Sequence, residues 1–173
     1  MHRSIDMAEF IHKGSIAHTS GTLPPVGAKA PSFSLTGLDM MEVTLSDFYG
    51  KRVVLNIFPS IDTSTCALSV RRFNQLASGM MNTVVMNVSK DLPYAQRRFC
   101  GAEGITNVIS LSEYKNNNFS SDYHVDIVSG TILVGLMARA VIVLDEQAKV
   151  LYTELVYDLS HEPDYNAVIS ALT

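Results

Sequence analysis

Cys66 and Cys100 are the only cysteines of this sequence, and the first sits where a thiol gains reactivity. An apolar run at 53–58 stops at Pro59, and apolar residues then recur at Ala67, Val70, Phe73, Leu76 and Ala77 with helical spacing. Cys66 therefore falls in the first turn of a helix that follows a buried strand. Unpaired backbone N–H groups and the helix dipole favour an anion there, so a thiol at such a place ionises more readily. A thiol with an ordinary pKa of about 8.5 is roughly 3% thiolate at pH 7, and one brought to about 6 is roughly 90% thiolate. The gain is about 30-fold, or roughly 2 kcal/mol. Faster displacement at sulfur needs donors that hold the attacked group in line and take up charge as a bond breaks.

Three neighbours in the sequence fit such a site. Thr63, three residues before Cys66, can place a hydroxyl beside the sulfur. Pro59 fixes the exit from the strand and can shield the sulfur from water. Arg139 opens an apolar strand expected in the same sheet and can supply a cation. Each has a plainer reading. Free cysteine often packs as a small hydrophobe, Cys100 can be a helix residue facing the core, and charges at strand ends also serve solubility. Asp62 is expected to cap the helix or bond a backbone amide, and Arg71 and Arg72 to be helix-face charges. The methionines, including Met80 and Met81, read as packing residues, and His124 as a surface residue.

The bulk numbers exclude several classes. The chain has 173 residues, 47% hydrophobic and 17% charged, with 13 basic against 17 acidic residues and a formal net charge of −4. That suits a single folded domain or little more. No basic block points to nucleic acid, and no apolar run approaches the ~18 residues that span a bilayer. Two cysteines are too few for a secreted disulfide framework. His2, His12, His18, His124 and His161 lack metal-ligand spacing, so no metal and no cofactor is expected. The expected setting is soluble and cytoplasmic. Residues 1–20 read as an N-terminal extension, leader or tag-like segment, and residues 21–173 as the folded domain.

The elements that must position the cysteines follow from periodicity. Residues 22–32 are loop-like, 33–36 and 42–45 a hairpin, and 46–48 a short turn. Strands are expected at 53–58, 83–88 and 108–111. The first helix should start between 63 and 66 and end near 79. A second follows Asp91 as N-cap with Pro93 in its first turn, carries Cys100 and stops at Gly101. Residues 114–130 read as a short helix and a loop. Strands at 140–144 and 150–155 form a hairpin, and a last helix runs from 163 to 172. This is an α/β fold, a central mixed sheet flanked by helices.

The stretch from Pro59 through Thr63 to Cys66 fits P-x-x-x-T-x-x-C, the active-site signature of peroxiredoxins. Residues 56–77, 89–104 and 135–146, with the ending EPDY at 162–165, more closely resemble the bacterial thiol peroxidases, the atypical two-cysteine peroxiredoxins. The similarity runs from about residue 19 to the C-terminus. It implies a thioredoxin-like fold with an N-terminal β-hairpin. It also implies Cys66 as the peroxidatic cysteine that attacks a hydroperoxide, and Cys100 as the resolving cysteine that closes an intrachain disulfide. Thr63 and Arg139 would form the activating pocket, with Pro59 packed over the sulfur. A homodimer recycled by thioredoxin is implied as well. The sequence departs from the family pattern at Ser64-Thr65, at His124 where glycine is usual, near 129–135, which is one residue longer, and ahead of about residue 19.

Two other readings stand beside this one. Cys66-Ala-Leu-Ser69 also fits the C-x-x-S of disulfide oxidoreductases with the same fold, although those motifs lack the preceding P-x-x-x-T. A non-enzymatic peroxide sensor that relays oxidation to a partner would use the same sulfenic acid.

Overall fold

Val53, Val54, Leu55 and Ile57 alternate between two apolar layers, which is why the run is apolar throughout. They belong to β5 (Arg52–Ile57), an interior strand of a seven-stranded sheet in a computed structural model that describes residues 6–173. The other elements, in chain order, are β1 (Glu9–His12), β2 (Ser15–Thr19), β3 (Ser34–Gly37), β4 (Glu42–Thr44), α1 (Ser64–Ala77), β6 (Thr83–Ser89), α2 (Pro93–Glu103), β7 (Ile109–Ser112), α3 (Asn118–Asp122), β8 (Ile127–Ser129), β9 (Ala140–Leu144), β10 (Val150–Leu155) and α4 (Tyr165–Ala171). The sheet order is β10-β9-β5-β6-β7-β3-β4. Strands β5, β6 and β7 are parallel, while β9 and β3 run antiparallel to their neighbours. The expected mixed sheet flanked by helices is present.

One layer packs Phe33, Leu55, Met86, Phe119 and Tyr123, with Phe119 and Tyr123 stacked at 4.5 Å between ring centroids. The other packs Val54, Val85, Val141 and Val143 against Phe73 of α1 and Val168 of α4. A third apolar cluster holds Phe58, Ile61, Cys66, Val70, Cys100 and Ile105, so both cysteines share one buried region between α1 and α2.

Several boundaries differ from the sequence expectation. Helix α2 runs through Gly101 and ends at Gly104, whose φ of 65° supplies the left-handed cap. Its N-cap is Leu92, one residue after Asp91, because the Asp91 carboxylate is engaged elsewhere. Within 114–130 a short strand, β8, pairs with β2. Residues 1–5, and with them His2, lie outside the described residues. Residues 9–19 form a hairpin, β1–β2, that joins β8 in a three-stranded sheet. Phe10 and Ala17 of that hairpin are wholly buried against Ile127, Ala138 and Leu159, so this part of the segment is built into the fold and is not a tail.

His124 has φ of 56° in the turn after α3. Left-handed backbone costs an L-residue about 1 kcal/mol, which explains glycine as the usual occupant. Its one side-chain bond, to the Ser20 hydroxyl, is long at 3.4 Å. His124→Gly is expected to raise stability by roughly 0.5–1 kcal/mol, read as a higher denaturant midpoint at unchanged slope.

Candidate active site

The carboxyl end of β5 delivers the chain to Phe58 and Pro59, and a turn over Ser60–Thr63 feeds it into α1. Thr63 is the N-cap, in extended conformation, so Cys66 stands at the third position of the helix. The sequence placed it in this first turn, where backbone N–H groups lack helical partners. The antiparallel pairing of β9 with β5 brings the start of β9 to the same end of the sheet, with Ala140 opposite Ile57. Arg139, the residue before β9, thereby reaches the sulfur: its Nη1 donates to Cys66 Sγ at 3.5 Å.

Arg139 is only 2% exposed, and its Nε and Nη2 both donate to the carbonyl of Leu159, at 3.2 and 2.9 Å. Among the described residues no carboxylate forms an ion pair with it. A buried guanidinium is always charged and costly without a counter-charge. The Cys66 sulfur lies within reach of this guanidinium, so negative charge that develops beside it is stabilised there.

Pro59, Thr63 and Arg139 line a cavity of about 400 Å³ together with the aliphatic Ile132, Leu133 and Leu136. The lengthened 129–135 segment thus sits at this rim, with Ile132 90% exposed. Cys66 itself is fully buried and reaches the cavity lining through Arg139. The Thr63 hydroxyl donates to the carbonyl of Ser60 at 3.0 Å, which leaves its lone pairs for a bound molecule; it forms no hydrogen bond to Cys66. Asp62 does not cap the helix; it pairs with Arg98 at 3.3 Å on the surface. Arg71 makes a two-pronged bond to Glu103 at 2.8 and 3.1 Å, joining α1 to α2.

Ser69, the last residue of the C-x-x-S reading, is not aimed at the sulfur. Its hydroxyl donates to the Cys66 carbonyl at 2.8 Å and accepts from Asn56 Nδ2 at 3.3 Å. Asn56 donates in turn to Asn87 Oδ1 at 2.9 Å across β5 and β6. This buried polar chain underpins the first turn of α1. Its signal in the sequence was one asparagine inside each of two apolar runs. The Leu159 carbonyl and the backbone that holds it had no signal, because main-chain bonds carry no residue type. That carbonyl is held by the N-terminal hairpin: Leu159 N donates to Ile11 O at 2.9 Å, and Ile11 N to Tyr157 O at 2.6 Å. The Thr65 hydroxyl adds a bond to Ser160 O at 3.3 Å.

Cys100 lies in the same cluster, nearly buried, with Ser110 Oγ 3.5 Å from its sulfur. Burial pushes its thiol above the ordinary range, and the Ser110 contact offsets only part of this. The folded chain therefore keeps this proton above the pH at which the unfolded chain loses it, and stability falls as pH rises through that window. In Cys66→Ser, alkylation of Cys100 is expected to keep accelerating beyond the pH at which a free cysteine thiol, measured alongside, has levelled off. A plateau at the same pH would contradict the burial effect.

Residues 25–169 match the family model named Redoxin. The chain is 48% identical to a thiol peroxidase from Corynebacterium glutamicum over 166 residues, covering 96% of this chain and 99% of that protein. A peroxiredoxin-like protein from Aquifex aeolicus superposes with a TM-score of 0.90 at 33% identity, with 96% of each chain covered. A thiol peroxidase from Chromobacterium violaceum shares the fold, with a TM-score of 0.87 at 21% identity over 95% of this chain and 94% of that one. With a cysteine at a helix N-terminus, a buried arginine against its sulfur and these relatives along nearly its whole length, the chain belongs to the thiol peroxidases of the redoxin family.

Proposed function

We propose that this chain reduces hydroperoxides, including hydrogen peroxide and organic hydroperoxides, by a cycle in which Cys66 is peroxidatic and Cys100 resolving. The observation that carries the reading is the buried Arg139 guanidinium, held by Leu159 and, among the described residues, without a carboxylate partner, 3.5 Å from Cys66 Sγ. The Cys66 thiolate attacks the distal peroxide oxygen. The O–O bond breaks, the leaving oxygen takes a proton and departs as water or alcohol, and the sulfur becomes a sulfenic acid. Arg139 stabilises the charge in transit. The Thr63 hydroxyl, with free lone pairs at the cavity wall, accepts from the peroxide and orients it. Pro59 keeps water off the sulfur.

Cys100 thiol then condenses with the sulfenic acid, giving an S–S bond and water. A dithiol restores both thiols by two exchanges and leaves oxidised itself. Thioredoxin is the reductant we expect, in a cytoplasmic homodimer. A disulfide needs Cα atoms within roughly 7 Å. The two sulfurs are carried by separate helices, so the Cys66 turn or the α2 segment opens during the cycle. We infer that residues 9–19 belong to the catalytic unit, since their backbone holds the carbonyl that orients Arg139.

The test is hydroperoxide consumption by the reduced protein with thioredoxin and its reductase, together with mass spectrometry of the oxidised chain. Catalytic turnover and one intrachain Cys66–Cys100 disulfide are expected. No reaction with peroxide sinks the proposal; a reaction without recycling by any dithiol favours the sensor reading.

A further inference from the structure

We propose that Asp91 is a positioning residue that latches the Cys66 loop to the root of the Cys100 helix. In this role it sets how oxidised Cys66 divides between disulfide and over-oxidation. The inference rests on the cycle proposed above. Asp91 stands where the sequence pattern calls for a helix cap, yet it caps nothing: α2 starts from Leu92 without a side-chain cap. Its carboxylate points back across the sheet end instead. It accepts from Ile61 N at 2.7 Å, from Ser60 Oγ at 2.8 Å and from Ser89 Oγ at 2.6 Å.

The two sides of this carboxylate are unequal. Toward the sheet it is rooted. Ser89 also accepts from Gln96 Nε2 at 3.1 Å, Gln96 donates again to Leu111 O at 2.9 Å, and Ser112 Oγ donates to the Asp91 carbonyl. Toward Cys66 it carries a hanging turn. Asp62 N donates to Ser60 Oγ at 3.2 Å, and both Thr63 N and Thr63 Oγ1 donate to Ser60 O, at 3.1 and 3.0 Å. Ser60 thus gathers the turn, and Asp91 holds Ser60. The turn ends in Thr63, the N-cap of the helix whose first turn contains Cys66. The ion pair from the turn itself to α2, Asp62 with Arg98, is exposed on both sides and weak for that reason.

Opening the Cys66 turn must strip Asp91 of two of its three donors while the third stays. A sulfenic acid held in the closed form meets one of two ends. A second hydroperoxide oxidises it to the sulfinic acid and leaves as water or alcohol, or the turn opens and Cys100 forms the disulfide. A stronger latch favours the first, a weaker one the second. Losing both hydrogen bonds from the turn to the Asp91 carboxylate in the closed form shifts opening by about tenfold.

The experiment is rapid-mixing kinetics of the reduced full-length chain with hydrogen peroxide, with the sulfinic-to-disulfide ratio read by mass spectrometry over a range of peroxide concentrations. Asp91→Ala is expected to form disulfide about tenfold faster and to need about tenfold more peroxide for the same sulfinic yield, while its first oxidation step slows. Ser60→Ala, which removes one donor and leaves the carboxylate, is expected to move the ratio the same way by less, and serves if Asp91→Ala fails to fold. A merely structural role would lower thermal stability and the first step without moving the ratio. A ratio within twofold of wild type in the variants overturns the latch. Failure of wild type to react with peroxide, or to form the disulfide, overturns the underlying cycle instead.

Discussion

Cys66→Ser is expected to abolish hydroperoxide turnover to the background of the assay, and Cys100→Ser to complete one stoichiometric round and then stop with thioredoxin as the sole reductant. The contrast follows from where each sulfur sits. Cys66 is the sulfur that meets the guanidinium, and a serine hydroxyl in its place is neither ionised near neutral pH nor a comparable nucleophile toward oxygen. Loss of the nucleophile removes every later step. Cys100 touches Ser110 and apolar neighbours, with no cation in hydrogen-bond reach among the described residues. A Cys100→Ser chain should consume one equivalent of peroxide and accumulate the sulfenic acid, detectable by a dimedone adduct at Cys66. If Cys100→Ser turned over normally, the sulfenic acid would have to be reduced directly, and the resolving role would be withdrawn. Both variants should fold, since each replaces one buried sulfur by a smaller oxygen beside existing polar partners.

Arg139→Met is expected to lower kcat/KM for hydroperoxide by about 10²–10³-fold, the usual cost of losing a group that stabilises developing charge in a buried site. Methionine fills the same space, and no partner carboxylate is left stranded. The orphaned group is the Leu159 carbonyl, which loses two donors. An orphaned buried carbonyl costs roughly 1–3 kcal/mol, offset in part by removal of an unpaired buried charge. Thermal stability is therefore expected to fall by no more than that cost while the rate collapses, which separates a catalytic from a packing role. Arg139→Lys keeps the charge and loses the fork. One ammonium cannot hold Leu159 and face the sulfur with the same geometry, so roughly a tenth of the Met deficit or more should remain. An Arg139→Met chain with more than half the wild-type kcat/KM would remove the arginine from the mechanism.

The parts of the fold legible in the sequence were those with residue-type periodicity. Strands β5, β6, β9 and β10 are dense in Val, Ile and Leu, and α1 repeats its apolar residues at three and four. The hairpin β1–β2 was not legible as part of the fold, because its fully buried residues, Phe10, Ala17 and the polar Thr19, make no apolar alternation. Strand β8 is three residues long, too short for any pattern. The end of α2 was misplaced because Gly101 and Gly104 both look like stops; only the backbone reveals that Gly104 is the one in the left-handed region. At the site, the residues around Cys66 came from the P-x-x-x-T-x-x-C spacing, and Arg139 came from its position before an apolar strand. Asp91 was read as a cap by a rule that describes helix starts taken alone. The structure gives it a longer-range partner, which local propensity does not encode.

The bonds from Ile11 to Tyr157 and Leu159 have a consequence for how the protein is made. Cys66 leaves the ribosome well before Arg139, and the carbonyl that aims Arg139 follows later still. The first strand of the hairpin is made long before the loop at 157–159 that pairs with its edge. Until that loop arrives, the Leu159 carbonyl is not there to take the two Arg139 donors, and the guanidinium has no fixed aim. The contact between Arg139 and Cys66 is thus assembled late, once segments made far apart in time have met.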